Sequence, residues 1–236
     1  MPGNVQPSIL GLRGIALPEG LSAERLEALA RECAWRNYRA GQRIISRAAA
    51  DRDVHLIVSG RVRATTYSAA GKQVTFRDLA AGELFGEVAA IDDMPRSADV
   101  VALESALTAS LSPAAFRKLL REEPAVAERV LRRLASLVRR MSERVIDLST
   151  LGVHNRIHAE LLRLARESGV KQNIARIDPA PKHADMASQV STYREQVTRE
   201  LSTLAKAGIV CKDGRALLIR DVKRLQTLVE EVKSSA

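Results

Sequence analysis

Residues 85–98 read FGEVAAIDDMPRSA: Gly86 and Glu87 are followed nine residues later by Arg96, and then by Ser97 and Ala98. A carboxylate can hold a sugar hydroxyl, and a guanidinium can hold a phosphate through two parallel hydrogen bonds. Small residues let backbone N–H groups approach the same anion. Those are the groups that a cyclic nucleotide presents. On the residues alone a second arrangement stays open, in which Glu87 and Arg96 pair with each other as a structural ion pair and Gly86 marks an ordinary turn. Such a pair has no need of Pro95, Ser97 or Ala98.

A second stretch carries different chemistry. Residues 183–207, HADMASQVSTYREQVTRELSTLAKA, pattern as two helices with a tight turn around Val190 to Thr192. Thr192 and Glu195 have the T-x-x-E spacing of a capping box, which places a helix start at Thr192. Val197, Leu201 and Leu204 then face inward, leaving Tyr193, Arg194, Arg199 and Lys206 polar or amphipathic. A helix of this kind can enter a DNA major groove. Beyond it, Ile209 to Cys211, the Asp213-Gly214 turn and Ala216 to Ile219 give a hairpin signal, completing a winged helix-turn-helix pattern. The alternative is a three-helix protein-interaction module with a solvated charged face.

Other clusters carry less. His154 and His158 lie four apart on one helical face, but with no third ligand nearby they are expected to be helix surface or hinge packing, so no metal is expected. The adjacent carboxylates Asp92 and Asp93 diverge in direction and suit a solvated turn. Neither G-x-S-x-G, a P-loop nor H-E-x-x-H occurs, and no enzyme is expected. Cys33 and Cys211 are the two cysteines, too far apart in sequence for a disulfide framework, a zinc ribbon or a cysteine-ligated cluster. The start MPGNVQPSIL lacks the regions of a secretory signal, and no apolar run suits a membrane span, so a cytoplasmic location is expected.

These groups need scaffolds, and 236 residues with 46% hydrophobic content allow two domains, each with its own core. Net charge is +9, and the part from residue 150 onward is the more basic per residue, which suits a polyanionic partner there. Residues 21–35 have helical spacing at Leu26, Leu29, Ala30 and Cys33, with Ser22 as a cap. Ile44-Ile45, Val54 to Val58, Val62 to Thr66, Val74 to Leu79 and Val100 to Leu111 read as strands punctuated by Gly41, Gly60, Gly71 and Gly82, implying a β-sandwich or barrel.

From Ser112 to Ser149 the chain is helical, with Pro124 near a helix start. Val126, Val130, Leu134, Leu137, Met141, Val145 and Leu148 form a heptad-like seam, while Arg132, Arg133, Arg139, Arg140 and Arg144 read mostly as a solvated face. The helix could pair with a like helix or lie on its own β-domain. Leu151-Gly152-Val153 is the natural hinge, a second amphipathic helix runs from Asn155 to Glu167, and residues 168–182 read as a connection with one short strand.

The 85–98 run resembles the phosphate-binding cassette of cyclic-nucleotide-binding domains, as in the cyclic-AMP receptor protein (CRP/FNR) family of transcription regulators and in kinase regulatory subunits. Arg194, Glu195, Val197 and Arg199 match that family's recognition-helix pattern R-E-x-V-x-R. The resemblance covers nearly all of the chain after residue 20. It implies an α+β fold: an N-terminal β-roll (jelly-roll-like) domain over residues 1–122, a long dimerisation helix over 123–151 and a C-terminal winged helix-turn-helix over 152–236.

By resemblance, Glu87 holds the ribose 2′-hydroxyl and Arg96 the cyclic phosphate, while Ser97 and the amides near Gly86, Val88 and Ala98 complete the site. The family's base-contacting Thr-Ser pair falls on Met141 and Ser142, of which only Ser142 can hydrogen-bond the base. Cyclic AMP is therefore the expected allosteric ligand, with cyclic GMP open. Arg194 and Arg199 would read guanines and Glu195 would accept from cytosine, pairings that base-edge geometry also supports. Lys182, Thr192 and Tyr193 would lie near the phosphate backbone, Tyr193 standing where the family often has serine. The implied partners are a second copy of the chain, double-stranded palindromic operator DNA and RNA polymerase, with no membrane. The segment AAAD at 48–51 departs from the family's glycine turn. Two alternatives remain: a regulator of the same fold sensing a haem ligand or another effector, and a nucleotide-binding subunit that does not bind DNA.

Overall fold

A computed structural model of the chain describes residues 8–68, 71 and 73–233; residues 1–7, most of the polar start, lie outside the described residues. The chain divides into two compact units, Met1–Ser136 and Leu137–Ala236.

The first unit opens with α1 (Ile9–Arg13) and α2 (Ala23–Glu32). Eight strands follow: β1 (Ala34–Tyr38), β2 (Arg43–Ile45), β3 (Val54–Ser59), β4 (Arg61–Tyr67), β5 (Gln73–Ala80), β6 (Leu84–Phe85), β7 (Asp99–Ala102) and β8 (Ala106–Leu111). Between β6 and β7 lies α3 (Glu87–Asp92), and after β8 come α4 (Pro113–Glu122) and α5 (Pro124–Thr150). The strands form two four-stranded antiparallel sheets in the orders β1-β8-β3-β6 and β2-β7-β4-β5, which is the expected β-roll. One core lies between the sheets, with Ile45, Ile57, Val62 and Leu79. Another joins Trp35, Leu56 and Leu111 to Leu29, Phe116, Leu119 and Val126 of the helices. Gly60 permits the β3–β4 turn: at φ +84, a Cβ there would sit 2.4 Å from the Ser105 carbonyl oxygen.

Two sequence expectations need correction in this unit. The helix expected over 21–35 stops at Glu32, because Trp35 is drawn into the core as part of β1 and donates its indole N–H to the Ala30 carbonyl at 2.9 Å. Val100 to Leu111 is two strands, β7 and β8, which belong to different sheets. The helical stretch over 112–149 has the helix start expected at Pro124, where α5 begins after α4, which Ser112 caps.

The seam along α5 also divides. Val126 and Val130 are buried in the core of the first unit, with Leu134 packed against it, as the lay-on alternative expected. The exposed apolar row is instead Leu131, Val138 and Val145, at 66%, 64% and 62% exposure and seven residues apart. It runs beside Leu134, Met141 and Leu148 in alternating steps of three and four. A face with this spacing is a coiled-coil seam.

In the second unit the chain leaves α5 and passes Leu151. Gly152 then caps α6 (Val153–Ser168). After it come β9 (Val170–Lys171), β10 (Ile174–Ile177), α7 (His183–Gln189), α8 (Arg194–Lys206), β11 (Val210–Asp213), β12 (Ala216–Ile219) and α9 (Val222–Lys233). The connection expected to hold one strand holds two, which join the β11–β12 hairpin in a sheet of order β11-β12-β10-β9. Ile157, Leu161, Val197, Leu204, Ile219 and Leu225 form the core. No helix among the described residues is long and apolar enough to cross a membrane.

Candidate functional site

Strand β6 delivers the chain to Gly86, whose φ of +87 is left-handed. A Cβ there would stand 2.6 Å from the Asp53 carbonyl oxygen and 2.7 Å from Nη1 of Arg96, so glycine is what lets the arginine lie across the turn. Arg96 is 4% exposed. Its Nη1 donates to the Gly86 carbonyl at 3.1 Å and its Nη2 to the Asp53 carbonyl at 2.9 Å. These two backbone acceptors fix the guanidinium plane. Nε and Nη2, the edge suited to bidentate recognition of an anion, reach Oδ1 of Asp51 at 3.2 and 2.6 Å. Asp51 lies in the AAAD segment.

Within reach of the Arg96 charge, the ring of His55 stacks on Phe85, centroids 4.8 Å apart. Burial, aided by the Arg96 charge, pushes its pKa down to about 3, so the imidazole is neutral and adds no positive charge. Burial and the neighbouring Asp51 push the Asp53 carboxyl up, against the pull of Arg96 and Arg36.

Glu87, 6% exposed, opens α3. Its Oε1 accepts from Nε of Arg133 on α5 at 3.4 Å. Arg133 also donates to the Leu84 carbonyl and lies 3.5 Å from Glu83. It is therefore not part of a solvated face. Glu87 and Arg96 do not pair with each other: each has its own partner, and Arg96 and Gly86 are brought together directly. Part of the cassette is helical, which the loop reading did not expect. Val88 and Ala98 are half-buried, and Ser97 is exposed. Met141 is half-buried; Ser142 is exposed and donates to the Val138 carbonyl at 3.1 Å. Both belong to the second unit, so their place at the nucleotide rests on the resemblance alone.

In the second unit Lys182 caps α7, and the turn to α8 passes through Ser191 at φ +56. The capping box is not formed. Tyr193, not Thr192, is the N-cap, and the buried Thr192 hydroxyl donates to the Gln196 side chain. Glu195 is thereby released from a capping role. Arg194, Glu195 and Arg199 are exposed, and their side chains make no hydrogen bond or ion pair among the described residues. Val197, Glu200 and Leu204 are buried on the other face.

Glu200 is the residue that sequence reasoning missed. Its Oε1 lies 2.6 Å from Nε2 of His158 and its Oε2 2.5 Å from Nδ1 of His154, both on α6. Burial alone would raise the Glu200 pKa, but the bonds from His158 and then His154 outweigh it and hold the carboxyl below its usual range. A carboxylate falling in the apolar register of α8, opposite a histidine pair spaced by four, was the available signal. Arg156 adds a second tie, donating to the Val190 carbonyl of the turn at 3.0 Å and to the hinge carbonyl of Leu151 at 2.8 Å. Arg144 donates to the Gln189 carbonyl at 2.9 Å and is likewise not merely a solvated arginine. Among the described residues no cluster of three or more His, Cys, Asp or Glu could hold a metal ion.

Residues 35–123 match the cyclic nucleotide-binding domain family, and residues 155–228 match the Crp-like helix-turn-helix domain family. The chain is 29% identical over 221 residues to the cyclic AMP receptor protein of Thermus thermophilus, covering 92% of this chain and 98% of that one. It is 24% identical over 208 residues to the CRP-like cAMP-activated global transcriptional regulator of Mycobacterium tuberculosis, covering 88% and 93%. In structure it is similar to a CooA mutant from Carboxydothermus hydrogenoformans, with a TM-score of 0.78 at 20% identity, covering 96% and 98% of the two chains.

Proposed function

The chain belongs to the CRP/FNR family of transcription regulators, with a cyclic nucleotide-binding domain followed by a Crp-like helix-turn-helix, and we propose that it is a homodimer that binds palindromic operator DNA when cyclic AMP occupies its β-roll. The observation that carries the ligand reading is Arg96: a guanidinium with 4% exposure, oriented by two backbone carbonyls, with its bidentate edge turned to an anion. A cyclic phosphate accepts from that edge, in the position of the Asp51 carboxylate. Glu87, one residue from Gly86, accepts from the ribose 2′-hydroxyl. Val88, Ser97 and Ala98 line the rim, and Ser142 and Met141 meet the base.

The exposed row Leu131, Val138 and Val145 supports a parallel pairing of two α5 helices. On each protomer Arg194 and Arg199 read guanine edges and Glu195 accepts from cytosine. Lys182 and Tyr193 position α8 along the phosphates, whereas Thr192, buried with its hydroxyl donated to Gln196, holds the turn instead of meeting DNA. Such a dimer acts in the cytoplasm and meets RNA polymerase. The ligand regulates by binding the DNA-competent arrangement more tightly than the other; a tenfold bias corresponds to about 1.4 kcal/mol.

Calorimetric titration with cyclic AMP and cyclic GMP tests the ligand: cyclic AMP should bind more tightly, and absence of binding by either would remove the reading. For the dimer, Val138→Glu should shift the sedimenting species to monomer without loss of helicity. A dimer that survives that change would place the interface elsewhere.

A further inference from the structure

The geometry points to Glu200 as a positioning residue for base readout, clamping the recognition helix α8 to α6 through His154 and His158. The inference rests on the DNA-binding reading above. Glu200 is 6% exposed and stands between Val197 and Leu204 on the buried face of α8, where an apolar side chain would pack without desolvating a charge. Its neighbour in sequence, Arg199, faces out.

Both carboxylate oxygens are used, one by each histidine, at 2.6 Å to His158 and 2.5 Å to His154. The two histidines are one turn apart, about 6 Å along the helix. Two bonds so spaced fix both the rotation of α8 and its slide along α6. An apolar contact, being non-directional, would fix neither. The bonds also settle the imidazole tautomers. Ionised Glu200 can only accept, so His158 donates from Nε2 and His154 from Nδ1. At His158 this leaves Nδ1, which is buried without a partner, as a bare lone pair; an N–H there would be an unsatisfied buried donor. The other ring nitrogen of His154 belongs to a side chain that is 69% exposed.

The test uses the full-length chain, an operator selected by the wild type from random sequence, and a random duplex of equal length. The ratio of the two affinities measures base readout, whereas loss of structure lowers both affinities together. Glu200→Ala should lower the ratio about tenfold or more, with random-duplex affinity held within about twofold. Glu200→Gln, which can still accept from one histidine and donate to the other, should restore most of the ratio. His154→Ala removes an exposed side chain and should lower the ratio by a smaller factor. In the wild type, nitrogen shifts should report His158 protonated at Nε2 and His154 at Nδ1.

An unchanged ratio in Glu200→Ala, or parallel loss of both affinities, would overturn the inference. If Glu200→Ala does not fold, His154→Ala decides, and an unchanged ratio there overturns it equally. A wild type without any sequence preference would instead remove the DNA-binding reading itself.

Discussion

The two units handle charge in opposite ways. In the β-roll, the charges proposed to meet the ligand are buried and already hydrogen-bonded, Arg96 to Asp51 and two carbonyls, Glu87 to Arg133. In the helix-turn-helix, the charges proposed to meet DNA are exposed, and the buried charge, Glu200, touches only the scaffold. A small anion must be enclosed, so its receptor has to orient buried groups in advance and offset their desolvation internally. A duplex is too large to enclose. Its readers must stay accessible, and precision has to come from how firmly their helix is held.

The contrast predicts where a single substitution is most costly. Arg96→Ala should have the largest effect, weakening cyclic nucleotide binding by about 100-fold or more, since it removes the buried guanidinium proposed to hold the phosphate. Calorimetry measures this, and circular dichroism should report an intact fold. Arg199→Ala, an exposed reader, should cost less, about 1–3 kcal/mol of operator affinity, with relaxed preference at one base pair and nearly unchanged binding to random duplex. If Arg199→Ala proved the costlier, relative to each ligand, the contrast between enclosed and exposed sites would fail.

Acid should separate the units more finely. His55 is held neutral with a pKa of about 3 against an ordinary 6.5, so below pH 6.5 the unfolded chain binds a proton that the folded one refuses. Stability of the β-roll should therefore fall as pH drops from about 6.5 toward 3, by at most about 1.4 kcal/mol per unit from this group. Trp35, the single tryptophan, lies in that unit's core and reports its unfolding. His55→Gln should flatten the slope; an equal slope in the variant would contradict the assignment. Glu200 has the ordinary carboxylate pattern: its folded pKa is lowered, so its contribution is present above pH 4.5 and is lost as pH falls through the folded value. Amide exchange in α8 should accelerate only in that lower range, and should do so less in Glu200→Gln.

The same contrast governs what the sequence disclosed. The cassette residues stand within fourteen consecutive positions, and the left-handed turn at Gly86 makes a local string into a site, so the run was legible. The recognition helix was legible too, because its inward and outward faces follow helical spacing. Partners distant in sequence were not. Asp51 reaches Arg96 across 45 residues, Arg133 reaches Glu87 across 46, and His158 reaches Glu200 across 42; no periodicity connects them. The helix over 21–35 was overextended for a related reason: Trp35 fits a helical pattern locally, but pairing of β1 with β8, more than seventy residues away, decides its state. The α5 seam misled because two adjacent faces, one buried in the first unit and one exposed, share similar spacing.

The central claim is that an anion held by Arg96 in the first unit governs the exposed readers of the second. It is tested most directly by the affinity of the full-length dimer for its selected operator, measured by fluorescence anisotropy with and without saturating cyclic AMP, in the wild type and in Arg96→Ala. The account predicts at least about a tenfold gain in the wild type and none in the variant. A wild type indifferent to cyclic AMP, or an Arg96→Ala protein that gains as much, would contradict it.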